Sequence, residues 1–385
     1  MKSTNTTGAS AATADTPTSS PRKIRFALVG LGHIAQAAVL PGFKQAKHAE
    51  LAALVSGDPK KLKQLGKQYG VAKTYGYEEF DRCLADPEID AVFIALPNDL
   101  HCDCVLRAAA AGKHILCEKP LADHPSEARL MMRTAVEHRV RLMTAYRLHF
   151  EPAHLATLEL IRSGKLGEAR YFTSTFSYQV TDKDNIRLKA ERGGGPILDI
   201  GIYCINAARQ FFGAEPVEVS AFLARTKDPR FKEVEETASV LLRFPEGRLA
   251  SFTVCFGASS VSRCQWVGTK GSVVLEPAYE YSTALRQVVT VDEKPKEKTF
   301  PHTDQFGGEI DAFAECLLND TEPEPNAEEG LADLRVIEAI FESGRSGRTV
   351  RLPPFARVRR AEPDQVERKP PARRPETVNV TSPHD

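Results

Sequence analysis

A lysine, a carboxylic acid and a proline stand together in Cys117-Glu118-Lys119-Pro120, directly after the apolar run His114-Ile115-Leu116. The run reads as a short buried strand, and in an open α/β sheet ligands bind outside the carboxyl ends of the strands. A lysine delivered there can serve as an electrostatic group or proton donor beside a cofactor, and the proline fixes the backbone that aims it. Taken alone, Glu-Lys-Pro is equally a solvated lysine in an ordinary turn, so the argument depends on what else the chain provides. One such feature is Gly193-Gly194-Gly195-Pro196-Ile197-Leu198-Asp199-Ile200-Gly201-Ile202-Tyr203. Its three glycines read as a flexible loop and Pro196 as the start of a helix, on which Asp199 and Tyr203 stand four apart on one face. A carboxylate and a phenol on an otherwise apolar helix are either a satisfied buried pair or a proton-handling pair, and opposite Lys119 they read as the latter.

The elements that must position these groups alternate in the first half of the chain. Apolar runs at 25–29, 50–55, 91–96, 114–117 and 141–146 read as strands, with helical patterns between them, notably 102–111 and 126–138. Strands separated by helices of this length make βαβ units and a parallel, doubly wound Rossmann sheet. The first strand runs into Gly30-Leu31-Gly32-His33-Ile34-Ala35, with a helix expected to begin near Pro41. Gly30 permits the tight turn, Gly32 lets a pyrophosphate approach the backbone, Ala35 holds the close-packing position, and the following helix offers its N–H groups to phosphates. An acid about 20 residues on would hold the 2′-hydroxyl of NAD. Here that place holds Ser56, followed by Gly57, Asp58, Pro59, Lys60 and Lys61. Lys60 or Lys61 can neutralise a 2′-phosphate, which favours NADP, while Asp58 leaves open a ribose contact in a shifted register. Leu96-Pro97-Asn98-Asp99-Leu100-His101 ends the 91–96 run beneath the nicotinamide side of the crevice, with Asn98 or Asp99 also placed to cap a helix. Candidate cofactor contacts are therefore Gly30, Gly32, His33, Ile34, Ser56, Lys61, Pro97, Asn98, His101, Glu118 and Lys119.

The second half has longer alternating segments, at 169–180, 217–227, 237–244, 248–256, 263–268, 272–275 and 286–292, joined by turns such as Pro245-Glu246-Gly247 and Thr269-Lys270-Gly271. They predict a C-terminal α+β domain with a large, mostly antiparallel sheet open on one face, which suits a homodimer or homotetramer. The expected divisions are an N-terminal arm at 1–22, a Rossmann domain at 23–146, a substrate and oligomerisation domain at 147–352 and a tail at 353–385. Both ends are polar or proline-rich and read as disordered. The 385 residues carry 51 basic and 51 acidic side chains, a balance that excludes nucleic acid or an anionic membrane as a bulk partner. No run is long enough to span a bilayer, and residues 1–20 contain neither a secretory apolar region nor a twin arginine. Eight cysteines without repeated spacing read as small buried residues of a reduced, cytoplasmic protein that has no metal site.

In combination these motifs resemble the glucose-fructose oxidoreductase/inositol dehydrogenase (Gfo/Idh/MocA) superfamily, and within it the glucose-fructose oxidoreductases. The likeness rests on Gly30-x-Gly32-x-x-Ala35, Leu54-Val55-Ser56-Gly57, Leu96-Pro97-Asn98, Glu118-Lys119-Pro120, Tyr146-Arg147-x-His149, the 193–203 block and Gly213-x-Glu215-Pro216-x-Glu218-Val219, and covers about residues 23–352. It implies a tightly held NADP and oxidation of a pyranose at C1, from aldose to lactone, with the hydride passed on to a second sugar. Lys119 would be the catalytic lysine, Asp199 the acid that orients substrate and Tyr203 the proton acceptor. Arg147 and His149 would line the sugar pocket, with Arg147 also near the cofactor. A free phenol is a poor base at neutral pH, and a nearby ammonium favours its ionised form. Lys119 is then the tuner of Tyr203, or is itself the base. The alternatives are a dissociating dehydrogenase acting on an aldose, inositol or dihydrodiol, and a dinucleotide-binding regulator without catalysis. Regulators of this kind lack the lysine, and Lys119 is present.

Overall fold

The structure is a computed structural model that describes residues 22–357, 359–373, 375–380 and 382. The expected N-terminal arm, apart from Arg22, lies outside the described residues. Six strands form the first sheet: β1 (Ile24–Val29), β2 (Ala49–Val55), β3 (Lys73–Tyr75), β4 (Ala91–Ile94), β5 (His114–Glu118) and β6 (Leu142–Ala145). All pairs are parallel, in the order β3-β2-β1-β4-β5-β6. Strands buried on both faces by helices read as near-continuous apolar runs, and Phe26, Leu28, Val92, Phe93 and Leu116 are accordingly 0% exposed. The strand order reverses between β1 and β4, which opens a crevice at their carboxyl ends.

Two features of this domain differ from expectation. The helix after the glycine turn begins at His33 rather than near Pro41. It contains a π-turn at Ala35–Val39 ahead of the α-helical Leu40–Phe43. A wider turn suits a proline that has no N–H to donate and whose ring would meet the carbonyl four residues back. The chain boundary at 146 is also not a spatial one, because the helix Gln305–Leu318 packs on the first sheet. Phe313 meets Phe26 with ring centroids 6.2 Å apart, and a Cβ on Gly42 would stand 2.8 Å from the Gly307 nitrogen.

The second sheet has nine strands: β7 (Ala169–Gln179), β8 (Glu218–Ala224), β9 (Thr237–Arg243), β10 (Leu249–Cys255), β11 (Gly257–Gly268), β12 (Gly271–Leu275), β13 (Leu285–Val291), β14 (Lys294–Phe300) and β15 (Val350–Arg351). Their order is β14-β13-β12-β11-β7-β10-β9-β8-β15, antiparallel except where β10 runs parallel to β7. The edge strand β14 was not expected, since its lysines carry no apolar alternation. Such charges keep an exposed edge from pairing with another chain. The outward face carries Phe222 at 81% exposure, with Tyr171, Leu241 and Leu249. Among the described residues no helix is long and apolar enough to cross a membrane.

The segment after residue 352 is not the disordered tail its composition suggested. The Arg357 guanidinium lies 2.6 Å from Glu329 and 3.2 Å from Glu324, Arg360 lies 2.8 Å from Glu215, and Lys369 pairs with the buried Asp311. Prolines leave only the short 3₁₀ turn Pro363–Gln365 here, and the carboxylates that receive these cations are distant in sequence. Several of them belong to one buried cluster. Arg209, 0% exposed, reaches Glu215 and Glu329 at 2.6 Å and Asp333 at 2.5 Å. Tyr146 donates to Asp333 at 2.6 Å, which ties the end of β6 to the helices Ile202–Phe212 and Ala327–Ser346. Arg209→Met should destabilise the protein by about 3–5 kcal/mol in urea unfolding, because it leaves buried carboxylates short of a counter-charge. Unchanged stability would mean that the cluster contributes no net energy.

Candidate functional site

A cleft of about 810 Å³ runs along the carboxyl ends of the first sheet and beneath the second. Its walls include Gly30 and Gly32 after β1, Ser56 after β2, Pro97 and Asn98 after β4, Glu118 and Lys119 at the end of β5, and Arg147 after β6. His33, Ile34 and Lys61 complete the set, so every expected cofactor contact except His101 lines it. His101 is fully buried behind the cleft, its ring between the carbonyls of Pro120 at 2.9 Å and Leu96 at 3.0 Å. It joins the ends of β4 and β5 and does not line the cleft.

The cleft's glycine wall fits a dinucleotide. Gly30, at φ 96°, has the Ala95 carbonyl oxygen 2.4 Å from where a Cβ would sit, so a side chain is excluded by both backbone and space. A Cβ on Gly32 would meet nothing within 4 Å, and the room left open there admits a pyrophosphate against the backbone. Both oxygens of Asp58 have partners within the protein. Its Oδ1 caps the helix Pro59–Tyr69 through the N–H groups of Lys60 at 2.9 Å and Lys61 at 3.2 Å, and its Oδ2 accepts from Asn379 at 3.0 Å. Ser56, 4% exposed, and Lys61 are left facing the cavity.

The reactive end is built where β5 meets the 193–203 block. Lys119 Nζ donates to the Asp199 carbonyl at 2.9 Å and to its Oδ1 at 3.2 Å. Asp199 Oδ2 accepts from Tyr178 at 2.7 Å and from Arg187 Nε at 2.8 Å. Lys119 Nζ lies 5.0 Å and Arg147 Cζ 4.9 Å from the centre of the Tyr203 ring. Asp199 sits in a π-turn, Ile197–Gly201, that leads into the α-helix Ile202–Phe212 carrying Tyr203, so both side chains reach the cleft. The glycines before it are not a flexible loop. Gly193 is held at φ 67° with Asn98 2.7 Å from its Cβ position. Gly194 and Gly195 donate to the carbonyls of Lys189 at 3.0 Å and Arg187 at 2.8 Å. Asn98 caps no helix, and instead donates to the Gly193 carbonyl at 2.8 Å across the two domains.

Burial works against the charge on Lys119, yet Tyr203, Asp199 and Glu118 outweigh it and hold its pKa above the ordinary value. Burial opposes the Asp199 charge too, and Arg187 and Lys119 overcome it, holding the carboxyl well below the usual range. Burial, then Asp199, push the Tyr178 phenol well above its ordinary pKa. The site thus holds an ammonium, a carboxylate and a neutral phenol in contact at neutral pH.

Comparison with known proteins identifies the family of both domains. Residues 24–146 match the oxidoreductase family with an NAD-binding Rossmann fold, and residues 154–274 match the GFO/IDH/MocA C-terminal domain. D-xylose 1-dehydrogenase [NADP(+)] of Haloarcula marismortui is 34% identical over 341 residues, covering 87% of this chain and 95% of the relative. The chain belongs to the Gfo/Idh/MocA family. Among solved structures, aldose-aldose oxidoreductase from Caulobacter crescentus superposes with a TM-score of 0.83 at 38% identity, over 86% of this chain and all of that one. A 3-ketoreductase from Actinomadura kijaniata, solved with NADP and TDP-benzene, gives 0.77 at 27% identity over 84% of this chain and 98% of its own.

On this Gfo/Idh/MocA scaffold the expected sugar-pocket residue His149 is displaced from the cleft. It is 3% exposed, with Nε2 3.0 Å from Asn206 Oδ1 and Nδ1 3.3 Å from Glu324, inside the polar cluster beneath Tyr203. Residues that sequence reasoning missed take its place. Tyr178 stands near the end of β7 in a run that reads as core aromatics, and Arg187 lies in the single 3₁₀ turn Ile186–Leu188, too short to show a period. Arg147, expected in the pocket, is fixed by the Tyr279 carbonyl at 2.6 Å and by Gln305. Beneath it two acids face each other with no donor on Glu118 Oε1 or on either oxygen of Glu309, which is 0% exposed. Burial raises Glu118 to about 7 against the pull of Lys119 and Arg147, and burial followed by Glu118 raises Glu309 well above the ordinary carboxyl range.

Glu309 in the folded protein therefore keeps a proton that the unfolded chain releases above a pH of about 4.3. The folded state binds more protons in that window, so stability falls as pH rises through it. Glu309→Gln should raise the thermal midpoint over wild type by a few degrees at a pH of about 8 and by less at about 5. A difference independent of pH would show that Glu309 is not held protonated.

Proposed function

We propose that this protein is an NADP-dependent sugar oxidoreductase that oxidises the C1 hydroxyl of a pyranose to its lactone, keeps the reduced cofactor bound, and reduces a second sugar with it. The observation that carries the reading is Lys119 held between Asp199 and Tyr203 at one end of a cleft whose other end presents Gly32, Ser56 and Lys61. Bound there, NADP supplies the acceptor for the hydride leaving C1. The chain's own residues handle the proton. Lys119, with its raised pKa, is an ammonium and a poor base, and the neutral Tyr178 is a donor, so Tyr203 takes the hydroxyl proton beside the Lys119 charge. Both oxygens of Asp199 are engaged, which makes it the residue that aims Lys119 and Tyr178 at the sugar. Arg147 and Arg187 border the same space. Tyr203 gives the proton back when the second sugar is reduced.

Two relatives support the substrate class, one acting on D-xylose with NADP and one described as an aldose-aldose oxidoreductase. The 3-ketoreductase adds support for the roles. Its solved variants replace a lysine and a tyrosine that stand as far apart in sequence as Lys119 and Tyr203. The D-xylose dehydrogenases favour a second reading, in which NADP dissociates each turn. A cytoplasmic location, and a homodimer or homotetramer formed through the face bearing Phe222 and Leu241, complete the proposal.

Purified protein carrying only its own cofactor, mixed with glucose and a second sugar, should form lactone and polyol together by ping-pong kinetics. Product formed only in proportion to added NADP would replace this with the dissociating dehydrogenase. Lys119→Ala and Tyr203→Phe should each lower kcat by roughly 10² or more while NADP affinity stays nearly intact. Normal turnover by Tyr203→Phe would reduce the phenol to a packing residue. Ser56→Asp should reverse a preference for NADP over NAD, and wild-type protein that prefers NAD in a titration would contradict the cofactor assignment.

A further inference from the structure

Among its described residues, the C-terminal segment reaches the cofactor cleft at Val380. After the anchor of Lys369 on Asp311, the chain reaches Val378, which pairs with Gln36 as a backbone edge would: its N–H donates to Oε1 at 2.7 Å and its carbonyl accepts from Nε2 at 3.0 Å. Gln36 is 1% exposed, and the same Nε2 donates to the Leu31 carbonyl of the glycine turn at 2.9 Å. The next residue, Asn379, adopts φ 50°, a left-handed conformation that asparagine tolerates better than most side chains. It donates to Asp58 Oδ2 at 3.0 Å and accepts from Lys60 Nζ at 3.3 Å. That turn brings Val380 into the wall of the cleft, which it shares with Gly32, Ser56 and Lys61.

Three residues at 378–380 thus stitch the support of the glycine turn to the turn after β2, the two segments that hold the phosphates and ribose of a dinucleotide. We propose that residues 378–380 are part of the cofactor site, a strap over its adenosine-phosphate end that retains the bound NADP between turnovers. The inference rests on the NADP reading above. The tail has further anchors before the strap, among them Arg357, Arg360, Gln365 and Lys369, so the strap can be removed without disturbing them. Cofactor leaving the cleft must break the Gln36 and Asp58 contacts or pass around Val380, which slows release more than it alters the chemistry at Lys119.

The test uses the full chain, a chain ending at Glu376 and the Asn379→Ala variant. Each is loaded with NADPH, and loss of nicotinamide fluorescence is followed after mixing with excess NADP. Release should be at least about tenfold faster without the strap and several-fold faster in Asn379→Ala, with unchanged thermal midpoints of the cofactor-free proteins. Equal release rates, or slower release from the shortened chain, would overturn the strap while leaving the NADP reading intact. A full-length protein that binds neither NADP nor NADPH would overturn both.

Discussion

The site depends on how one half-buried carboxylate is satisfied. Asp199 accepts from Lys119 on the first domain and from Tyr178 and Arg187 on the second. A charge taken out of water is tolerated only when it is paired and hydrogen-bonded. Its three donors come from three separated segments, so satisfying Asp199 fixes the relation of the β5 end, the β7 end and the 181–192 loop. The site's geometry is thus a by-product of charge burial. Lys119 is held by Asp199, and Tyr203 lies against it, one turn beyond Asp199 on the helical segment those two residues share.

The support beneath is of the same kind. The Arg209 cluster anchors the Tyr203 helix to the end of β6, next to Arg147, and shares Glu329 with Arg357 from the C-terminal segment. The polar shell beneath the site, and not the apolar core alone, sets where Tyr203 and Arg147 stand. The opposite case lies under β5, where Glu118 and Glu309 face each other without a cation donor. Close placement of two acids is destabilising unless one stays protonated, and here the requirement falls next to Lys119.

Most of the parallel sheet and the cleft walls were legible because five of its six strands are apolar runs; the edge strand β3, Lys73-Thr74-Tyr75, carries no such run and was not expected. The identities of Gly32, Ser56, Lys119 and Asp199 could be read for the same reason: they follow strands or open a helix. What was hidden is pairing across sequence distance. Tyr178 looks like any core aromatic until Asp199 is brought to it, His149 looks like a pocket residue until Glu324 and Asn206 claim it, and the tail after residue 352 looks disordered because its partners lie elsewhere in the chain. The π-turns at Ala35–Val39 and Ile197–Gly201 also have no period that apolar spacing reveals. The glycines at 193–195 read as freedom, whereas Gly194 answers close approach of the Arg187 and Lys189 backbone, and Gly193 and Gly195, both at positive φ, that of the Asp123, Asn98 and Glu235 side chains.

The central claim is that the Lys119–Asp199–Tyr203 contact drives hydride removal from C1 of an aldose. The most direct measurement is a single turnover in a stopped-flow instrument, in which NADP-loaded protein is mixed with an aldose, unlabelled or deuterated at C1, and absorbance of the reduced nicotinamide is recorded. The account predicts one exponential phase of reduction that is slower with deuterium, and slowed further in Asp199→Asn, where the aim of Lys119 is lost, with little change in sugar affinity. Reduction insensitive to C1 deuteration, or an Asp199→Asn protein altered only in sugar affinity, would contradict it.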